Sequence, residues 1–368
     1  MKMSETKALT ATCHCRSVHF TLTLPLSSLP LRTHLCRCST CRTTHGALAS
    51  FHAPLPLGIE ACFISPSTPK NMNGYNHGTA QSTKYFCSTC GCHIADGAKE
   101  WGEGGLWNIS ISIFDETDGG IEGVWVIDEH YLVSGTGDGG LAALLPRIGG
   151  SELKVYETQP DGVSIPDTCP PRDPPRDTGN ENLLAQCHCG GISFTTSRPR
   201  SSYITSPESK GWLHPSDTSK WLASLDVCRD CRLVTGTHVI GWLFVARDHI
   251  TPALRNDLLL GLSKAYESSE GVRRTFCSEC GATVFYTCSE RPGIVDIATG
   301  ILRSKDVLLD DWAFWRTSRL GAIDDGIEYD RAFTQALEDG LREWGLETHG
   351  GIRDFVIGSA SLDVDNKN

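Results

Sequence analysis

The stretch that decides the fold is Cys36-Arg37-Cys38-Ser39-Thr40-Cys41, three cysteines within six residues of a 368-residue chain. A cysteine pair lies on each side of it, Cys13-His14-Cys15 before and Cys87-Ser88-Thr89-Cys90 after. The same order returns as Cys187-His188-Cys189, Asp226-Val227-Cys228-Arg229-Asp230-Cys231 and Cys277-Ser278-Glu279-Cys280. This pattern uses 13 of the 17 cysteines, and thiols at such short spacing are typical of zinc sites.

Equal spacing indicates that one structural unit occurs twice, as a first and a second copy. Cys38 and Cys87 are 49 positions apart, and so are Cys228 and Cys277, although the sequences between them differ. Equal spacing within unlike sequence is the mark of a duplication. The second copy has 16 additional residues around positions 201–220, which predict an enlarged loop.

The sequence predicts a mainly β chain of two tandem domains. We place a first zinc-binding domain at residues 8–157, a second at 182–320, and a short C-terminal helix and tail at 321–368. The intervening segment, 158–181, contains six prolines and predicts an extended linker in which Cys169 is a bystander.

Secondary structure is predicted from apolar periodicity. Alternating apolar residues predict half-buried strands at Val18–Leu24 and Ile192–Thr196. Short β-branched or aromatic runs predict more strands at Leu106–Phe114, Thr237–Ala246 and Ile294–Ile301. Steps of three and four residues predict a helix that ends at Gly345, with Phe333, Leu337, Leu341 and Trp344 on its apolar face.

Composition restricts the classes of partner and compartment. The net charge is −11 and neither copy has a basic run, so nucleic acid and anionic membranes are not expected as partners. We see no secretory signal in Met1–Thr12 and no membrane-spanning stretch. We therefore expect a cytoplasmic protein, in which cysteines bind zinc rather than form disulfides.

The outer pairs predict structural zinc sites. Four thiolates form a closed tetrahedral shell, the usual composition of a structural zinc site. We therefore predict a first tetrad and a second tetrad, with unliganded thiols or a disulfide as the alternative. Their members are Cys13, Cys15, Cys87 and Cys90 in the first, and Cys187, Cys189, Cys277 and Cys280 in the second.

The middle cysteines, here called the first triad (Cys36, Cys38 and Cys41), predict a different site. A zinc ion with three protein ligands keeps a fourth position for water or substrate, as catalytic zinc does. Three thiolates make the ion a weak Lewis acid that is better suited to bind a substrate thiol than to generate hydroxide. The alternative is a second structural zinc, closed by His34, His45 or a distant residue.

The second triad consists of Asp226, Cys228 and Cys231. Aspartate can bind zinc through oxygen, which would give a harder and more electrophilic site. Alternatively, Asp226 is a surface residue and this position holds no metal. The chain would accordingly carry three or four zinc ions.

These motifs resemble the glutathione-dependent formaldehyde-activating enzyme family, which also contains centromere protein V. That family has a Cys-x-Cys-Gly, a Cys-x-Cys-x-x-Cys-Arg followed by Gly, and a Phe-Cys-x-x-Cys-Gly. Besides the cysteines, the matching residues are Arg42, Gly46, Phe86 and Gly91 in the first copy, and Gly190, Arg232, Gly236, Phe276 and Gly281 in the second. The chain departs from the family pattern at Arg16, Thr43 and Asp226, and in being a tandem repeat.

The resemblance implies an Mss4-like β fold with two zinc ions per domain, structural in the tetrads and functional in the first triad. It also implies a carbon–sulfur lyase that adds glutathione thiol reversibly to formaldehyde. We therefore expect a zinc enzyme acting on a small thiol and a small carbonyl, with glutathione as a candidate cosubstrate. Two alternatives stay open. One is a tailoring enzyme that uses the same zinc site on a larger carbonyl or thioether, favoured by a wide cleft between the domains that the 201–220 loop would line. The other is a non-enzymatic zinc scaffold.

Single residues carry further expectations. His34 and His45 flank the first triad and are candidates for acid, base or fourth ligand. Arg42 and Arg232 could bind a glutathione carboxylate in a bidentate manner, or could serve the scaffold. His14 and His188 are expected to be exposed. Packing roles are expected for the remaining residues of note, Cys62, Cys92, Cys288, Trp312, Phe314 and Trp315.

Overall fold

The computed structural model describes residues 5–78, 82–97, 106–115, 121–158 and 181–358. Cys169, nearly all of the predicted linker and the tail Ser359–Asn368 lie outside the described residues. The domain bounds 8–157 and 182–320 stay predictions. None of the described helices is both long and apolar enough to cross a lipid bilayer.

The described part of the chain is mainly β. Strands of the first copy are β1 (Thr6–Thr12), β2 (His19–Pro25), β3 (Leu31–Cys36), β4 (Ser50–Pro54), β5 (Cys62–Phe63), β6 (Met72–Tyr75), β7 (Thr83–Cys87), β8 (His93–Gly97), β9 (Asn108–Ser110), β10 (Trp125–Tyr131), β11 (Arg147–Ile148), β12 (Ser151–Glu152) and β13 (Lys154–Tyr156). Strands of the second copy are β14 (Asn182–Gln186), β15 (Ser193–Ser197), β16 (Trp221–Asp226), β17 (Ile240–Ala246), β18 (Ile250–Thr251), β19 (Ser263–Ser269), β20 (Val272–Cys277), β21 (Thr283–Cys288), β22 (Ile294–Ala298), β23 (Leu302–Arg303) and β24 (Ala313–Trp315). The described α-helices are α1 (Ser39–His45), α2 (Leu141–Leu144), α3 (Ser201–Ile204), α4 (Arg229–Thr235), α5 (Ile323–Tyr329) and α6 (Arg331–His349).

Sheet topology confirms the duplication. The central sheet of the first copy has the strand order β13-β10-β3-β4-β9-β8-β7-β6, and that of the second has β24-β16-β17-β22-β21-β20-β19. Apart from β13, each strand of one sheet has a counterpart at the same place in the other. The outer pairs β10–β3 and β24–β16 are both parallel. Each copy also has a smaller sheet, β1-β2-β5 in the first and β18-β15-β14-β23 in the second. Two of its strands flank the Cys-x-Cys turn, β1 and β2 in the first copy and β14 and β15 in the second.

The predicted C-terminal helix is present but ends later than expected. Helix α6 continues to His349, and Gly350 caps it in the left-handed conformation (φ +69°). Gly345 lies inside the helix, where an added Cβ would stand 2.5 Å from the hydroxyl oxygen of Thr317. The prediction that the helix ends at Gly345 is wrong, because close packing rather than chain termination requires glycine there.

The two copies pack against each other through equivalent residues. The backbone N–H of His14 donates to the carbonyl oxygen of Leu233 in α4 (3.1 Å), and that of His188 donates to Thr43 in α1 (3.0 Å). Since Thr43 and Leu233 hold the same position in the two copies, the contact is reciprocal. Each triad helix therefore rests on the Cys-x-Cys turn of the other copy.

Candidate metal centres and an adjacent cavity

Each tetrad is assembled in space. Its four ligand atoms lie within 4.8 Å of one another. The sulfur atoms of Cys13 and Cys15 are 3.5 Å apart, as are those of Cys187 and Cys189. A disulfide would require about 2.05 Å, whereas sulfur atoms around a tetrahedral zinc ion lie about 3.8 Å apart. All cysteines in the described ranges are free thiols, so both tetrads could hold a metal ion.

Backbone amides complete the surroundings of the tetrads. The N–H of Val18 donates to Cys13 Sγ (3.4 Å), and the N–H of Ile192 donates to Cys187 Sγ (3.3 Å). The N–H of Thr89 donates to Cys87 Sγ (3.4 Å). Such donors stabilise negative charge on sulfur, which suits thiolate ligands.

The first triad occupies the junction between β3 and α1. Cys36 ends the strand, and Cys38 caps the helix, its Sγ accepting a hydrogen bond from the Cys41 N–H (3.3 Å). The three sulfur atoms lie within 4.8 Å of one another, with 3.6 Å between Cys36 and Cys38. Within the described ranges, no other histidine, cysteine, aspartate or glutamate atom joins this cluster. The triad could therefore hold a metal ion with an incomplete protein shell.

A buried ionic network borders the first triad. Lys84 Nζ lies 3.8 Å from Cys41 Sγ and 2.8 Å from Asp96 Oδ2, and His52 Nδ1 lies 3.2 Å from the same carboxylate oxygen. Burial alone would raise the pKa of Asp96, but Lys84 and His52 outweigh it and hold that pKa well below its usual range. Burial opposes the charge on Lys84, yet Asp96 and Cys41 raise its pKa. The ammonium group beside the triad is therefore charged at neutral pH.

His34 and His45 flank the first triad in sequence. No ring nitrogen of either histidine is close enough to join the cluster of Cys36, Cys38 and Cys41 as a metal ligand. The ring of His34 stacks on Tyr131 with 4.3 Å between centroids. His45 is fully buried, and its Nδ1 lies 2.9 Å from the carbonyl oxygen of Cys41. Burial lowers the pKa of both imidazoles, so both are neutral at pH 7.

The two arginines of the triad helices bind backbone. Arg42 Nε donates to the carbonyl oxygen of Arg37 (3.1 Å). Arg232 Nη1 donates across the copies to the carbonyl oxygen of Ser112 (2.6 Å), and its guanidinium lies 3.4 Å over the Tyr329 ring. These contacts are what we expected if the two arginines stabilise the fold. That they bind a glutathione carboxylate stays a prediction for both.

The second triad has the same placement with a different first ligand. Asp226 ends β16, Cys228 caps α4, and the ligand atoms of the triad lie within 4.8 Å of one another. Oδ1 of Asp226 accepts a hydrogen bond from the Cys228 N–H (2.8 Å). Arg274 Nη1 lies 3.5 Å from Cys231 Sγ, where the first copy has Lys84. The second triad could hold a metal ion as well.

A cavity of about 560 Å³ opens beside the second triad. A second cavity, of about 540 Å³, shares Arg291 and Ile357 with it and is bordered by Tyr203 and Trp212 of the enlarged loop. Both are lined by the second half of the chain alone. The loop thus borders a cavity within the second copy, whereas its expected place was a cleft between the domains.

Three expectations for single residues are wrong. His14 and His188 are not exposed, because each Nδ1 lies 2.7 Å from a tyrosine hydroxyl of the other copy, Tyr266 and Tyr75 respectively. Cys62 is exposed rather than packed. The aromatic residues at 312, 314 and 315 are buried as expected.

Sequence reasoning missed the charged residues that border the triads. Lys84 and Arg274 stand three positions before Cys87 and Cys277, so aligning the two copies would have revealed a basic residue at the same place. The sequence does not reveal that Asp96 lies beside Lys84, because this contact depends on the register between β7 and β8.

Comparison with known proteins agrees with the cysteine pattern. The family model described as glutathione-dependent formaldehyde-activating enzyme matches residues 8–123 and 216–318. The two matched stretches together span more than half of the chain, one in each copy. A search of curated proteins found no match.

Proposed function

The chain belongs to the glutathione-dependent formaldehyde-activating enzyme family, and from this premise we propose that it is a zinc-dependent carbon–sulfur lyase-like enzyme. It adds a thiol of the glutathione type to a small carbonyl such as formaldehyde, or removes it. The reaction takes place at the first triad.

The observation that carries this proposal is the incomplete ligand shell of the first triad. Cys36, Cys38 and Cys41 bring three sulfur atoms together, and no fourth ligand atom of the described residues joins them. The 3.6 Å sulfur separation and the thiol donors fit zinc. When bound, zinc supplies positive charge that stabilises a substrate thiolate at neutral pH.

The chain's own groups fit such a reaction. As the substrate sulfur forms a bond to the carbonyl carbon, the π electron pair moves to oxygen, which takes a proton and becomes a hydroxyl. His34 is neutral because burial lowers its pKa, so it is suited to accept the thiol proton and return it to that oxygen. Lys84, charged and 3.8 Å from Cys41 Sγ, stabilises negative charge on the triad.

A second candidate function is a tailoring reaction on a larger carbonyl or thioether substrate. The observation in its favour is the cavity of about 560 Å³ beside the second triad, since cavities of about 300–1,000 Å³ accommodate drug-sized molecules. In that case the second triad, with Asp226, would hold the functional zinc.

A matched pair of variants tests where the reaction takes place. Exchange between ¹³C-formaldehyde and its glutathione adduct is measured by NMR in wild type, Cys38→Ser and Cys228→Ser, two substitutions at equivalent helix caps. We expect Cys38→Ser to lower catalysed exchange by about a hundredfold or more, and Cys228→Ser to leave it within about threefold. Loss of exchange in Cys228→Ser alone would move the reaction to the second triad.

Zinc content per chain tests the proposed ligands. We expect about four zinc ions if both triads are filled and about three if the Asp226 site is empty. Cys38→Ala should lose one ion without unfolding, as judged by circular dichroism. A folded Cys38→Ala variant with undiminished zinc content would contradict the first-triad site.

A further inference from the structure

The cavity beside the second triad is lined by two buried arginines that form no ion pair with a carboxylate of the described residues. Arg274 and Arg316 both line it and are only 5% and 7% exposed. Neither guanidinium has a carboxylate oxygen within 4.0 Å in the described ranges. Buried charges in proteins are normally paired, because removing an ion from water is costly. These two guanidinium groups therefore lack the carboxylate partner that buried arginines usually have.

The lack of a partner is clearest at Arg316. Its Nε is buried and has no hydrogen-bond partner among the described residues. Its side chain packs near the Phe355 ring, 5.8 Å from the ring centre. Burial lowers its pKa, but guanidinium remains charged at pH 7.

Arg274 contacts a hydroxyl, a triad sulfur and an aromatic ring, but no carboxylate. Its Nε donates to the Ser268 hydroxyl (3.1 Å), and its Nη1 lies 3.5 Å from Cys231 Sγ. None of the described residues provides a partner for Nη2. One edge of this guanidinium is thus available to a ligand in the cavity.

The four aspartates that line the cavity have partners other than Arg274 and Arg316. Asp296 forms a two-point ion pair with Arg291. Asp230 Oδ1 lies 3.2 Å from His14 Nε2, Asp226 accepts from the Cys228 N–H, and Asp325 accepts from a backbone N–H at position 229. None of these four carboxylates therefore forms an ion pair with Arg274 or Arg316, although Asp226 partly opposes the lowering of the Arg316 pKa by burial.

In the first copy, the cation at the equivalent position has a carboxylate partner within the protein. Lys84 of β7 lies opposite Asp96 of β8, and Arg274 of β20 lies opposite Tyr286 of β21, in the same register. The first copy thus has a cation and its carboxylate, 2.8 Å apart. The second copy keeps the cation and has an aromatic ring in place of the carboxylate, so the triad thiol of Cys231 is beside Arg274 but no carboxylate pairs with it.

The aromatic side chains that line the cavity indicate what the rest of the ligand is, apart from its carboxylate. Trp242, Phe244 and Tyr286 line the cavity, and the Arg274 guanidinium lies 4.7 Å over the Tyr286 ring. We propose that this cavity is a binding site for an organic carboxylate with an aromatic or apolar body, whose carboxylate pairs with Arg316 and Arg274. The proposal does not rest on the thiol–carbonyl reaction, because it concerns binding in the second copy.

Calorimetric titration of the zinc-loaded full chain with 2-naphthoate tests the proposal, with 2-naphthamide as its neutral counterpart. We expect one naphthoate per chain and at least about tenfold weaker binding of the amide, because charge-assisted hydrogen bonds are lost. Arg316→Gln should weaken naphthoate binding by at least about tenfold, whereas Arg319→Gln, a neighbouring exposed arginine, should change it less than about twofold.

Tyr286→Asp provides a test that imitates the first copy. The new carboxylate would neutralise Arg274 as Asp96 neutralises Lys84, and we expect naphthoate binding to fall by at least about tenfold. Tyr286→Phe keeps the ring without adding charge and should bind naphthoate within about threefold of wild type. Equal binding of naphthoate and naphthamide to wild type would overturn the proposal, even if Arg316→Gln failed to fold. Unchanged binding in folded Arg316→Gln would overturn it as well.

Discussion

His130 of β10 shows how one buried imidazole makes stability depend on pH. It is completely buried, and its Nε2 lies 2.8 Å from the carbonyl oxygen of Leu145. Burial lowers its pKa to about 3, whereas an imidazole in the unfolded chain has a pKa of about 6.5. Between these values the unfolded state binds a proton that the native state does not, so stability falls as the pH falls.

We predict that His130→Gln narrows this pH dependence. The variant should be less stable than wild type at pH 7, but that difference should shrink by about 2 kcal/mol between pH 7 and pH 5, since only wild type keeps the shifted imidazole. Urea unfolding of wild type and variant at both pH values measures this difference in the free energy of unfolding. A difference that is the same at pH 7 and pH 5 would show that His130 is not held neutral in the fold.

At the scale of elements, the C-terminal helix joins the two copies. Phe333 of α6 packs edge-to-face on Phe51 of β4, with 5.5 Å between ring centres. Gly340 of the same helix lies against the first copy, where an added Cβ would stand 2.2 Å from the Leu144 carbonyl oxygen. Gly345 packs on Thr317 of the second copy. The helix therefore contributes to both cores.

Truncation of Phe333 should show this contribution. Phe333 is 1% exposed, and Leu346 on the same helix is 51% exposed. We expect Phe333→Ala to lower the free energy of unfolding by about 3–5 kcal/mol and Leu346→Ala to change it by less than about 0.5 kcal/mol. Denaturant titration compares the two variants. Similar small losses in both would mean that α6 is only loosely attached.

The sequence predicted elements well where the signal was local and long. Strand β17 is a continuous run of seven buried residues, and helix α6 is long enough to display its helical period. Helices α1 and α4 were not predicted, because seven residues that contain the triad cysteines show no apolar repeat. Their caps are sulfur atoms of Cys38 and Cys228, which the usual N-cap preferences do not include.

At the scale of the molecule, the clustering of the tetrad and triad residues was predictable and the cavity was not. Ligand spacing is a local property of the chain, so both tetrads and both triads could be named from sequence. In the cavity, Tyr286 stands opposite Arg274, a consequence of strand register that spacing alone does not reveal. The expectation that chemistry resides in the first copy stays a proposal, while the described cavity beside a triad belongs to the second.

The reciprocal packing of the copies leads to a prediction at equivalent glycines. Gly46 and Gly236 follow the triad helices in the left-handed conformation (φ +76° and +71°). A Cβ added at Gly46 would stand 2.3 Å from the Thr283 carbonyl oxygen, and one at Gly236 would stand 2.2 Å from that of His93, each in the opposite copy. Gly58 has a similar φ of +85° but no atom within 4 Å of such a Cβ.

We expect Gly58→Ala to lower the free energy of unfolding by about 1 kcal/mol, from backbone strain alone. Gly46→Ala and Gly236→Ala add a clash with rigid backbone across the interface, so each should lose about 2–3 kcal/mol more. The two losses should be alike, because the contacts are reciprocal. Urea unfolding of the zinc-loaded chain measures all three variants. If Gly46→Ala behaved like Gly58→Ala, the copies would not be packed through their triad helices, and the triads would not be coupled to the opposite Cys-x-Cys turns.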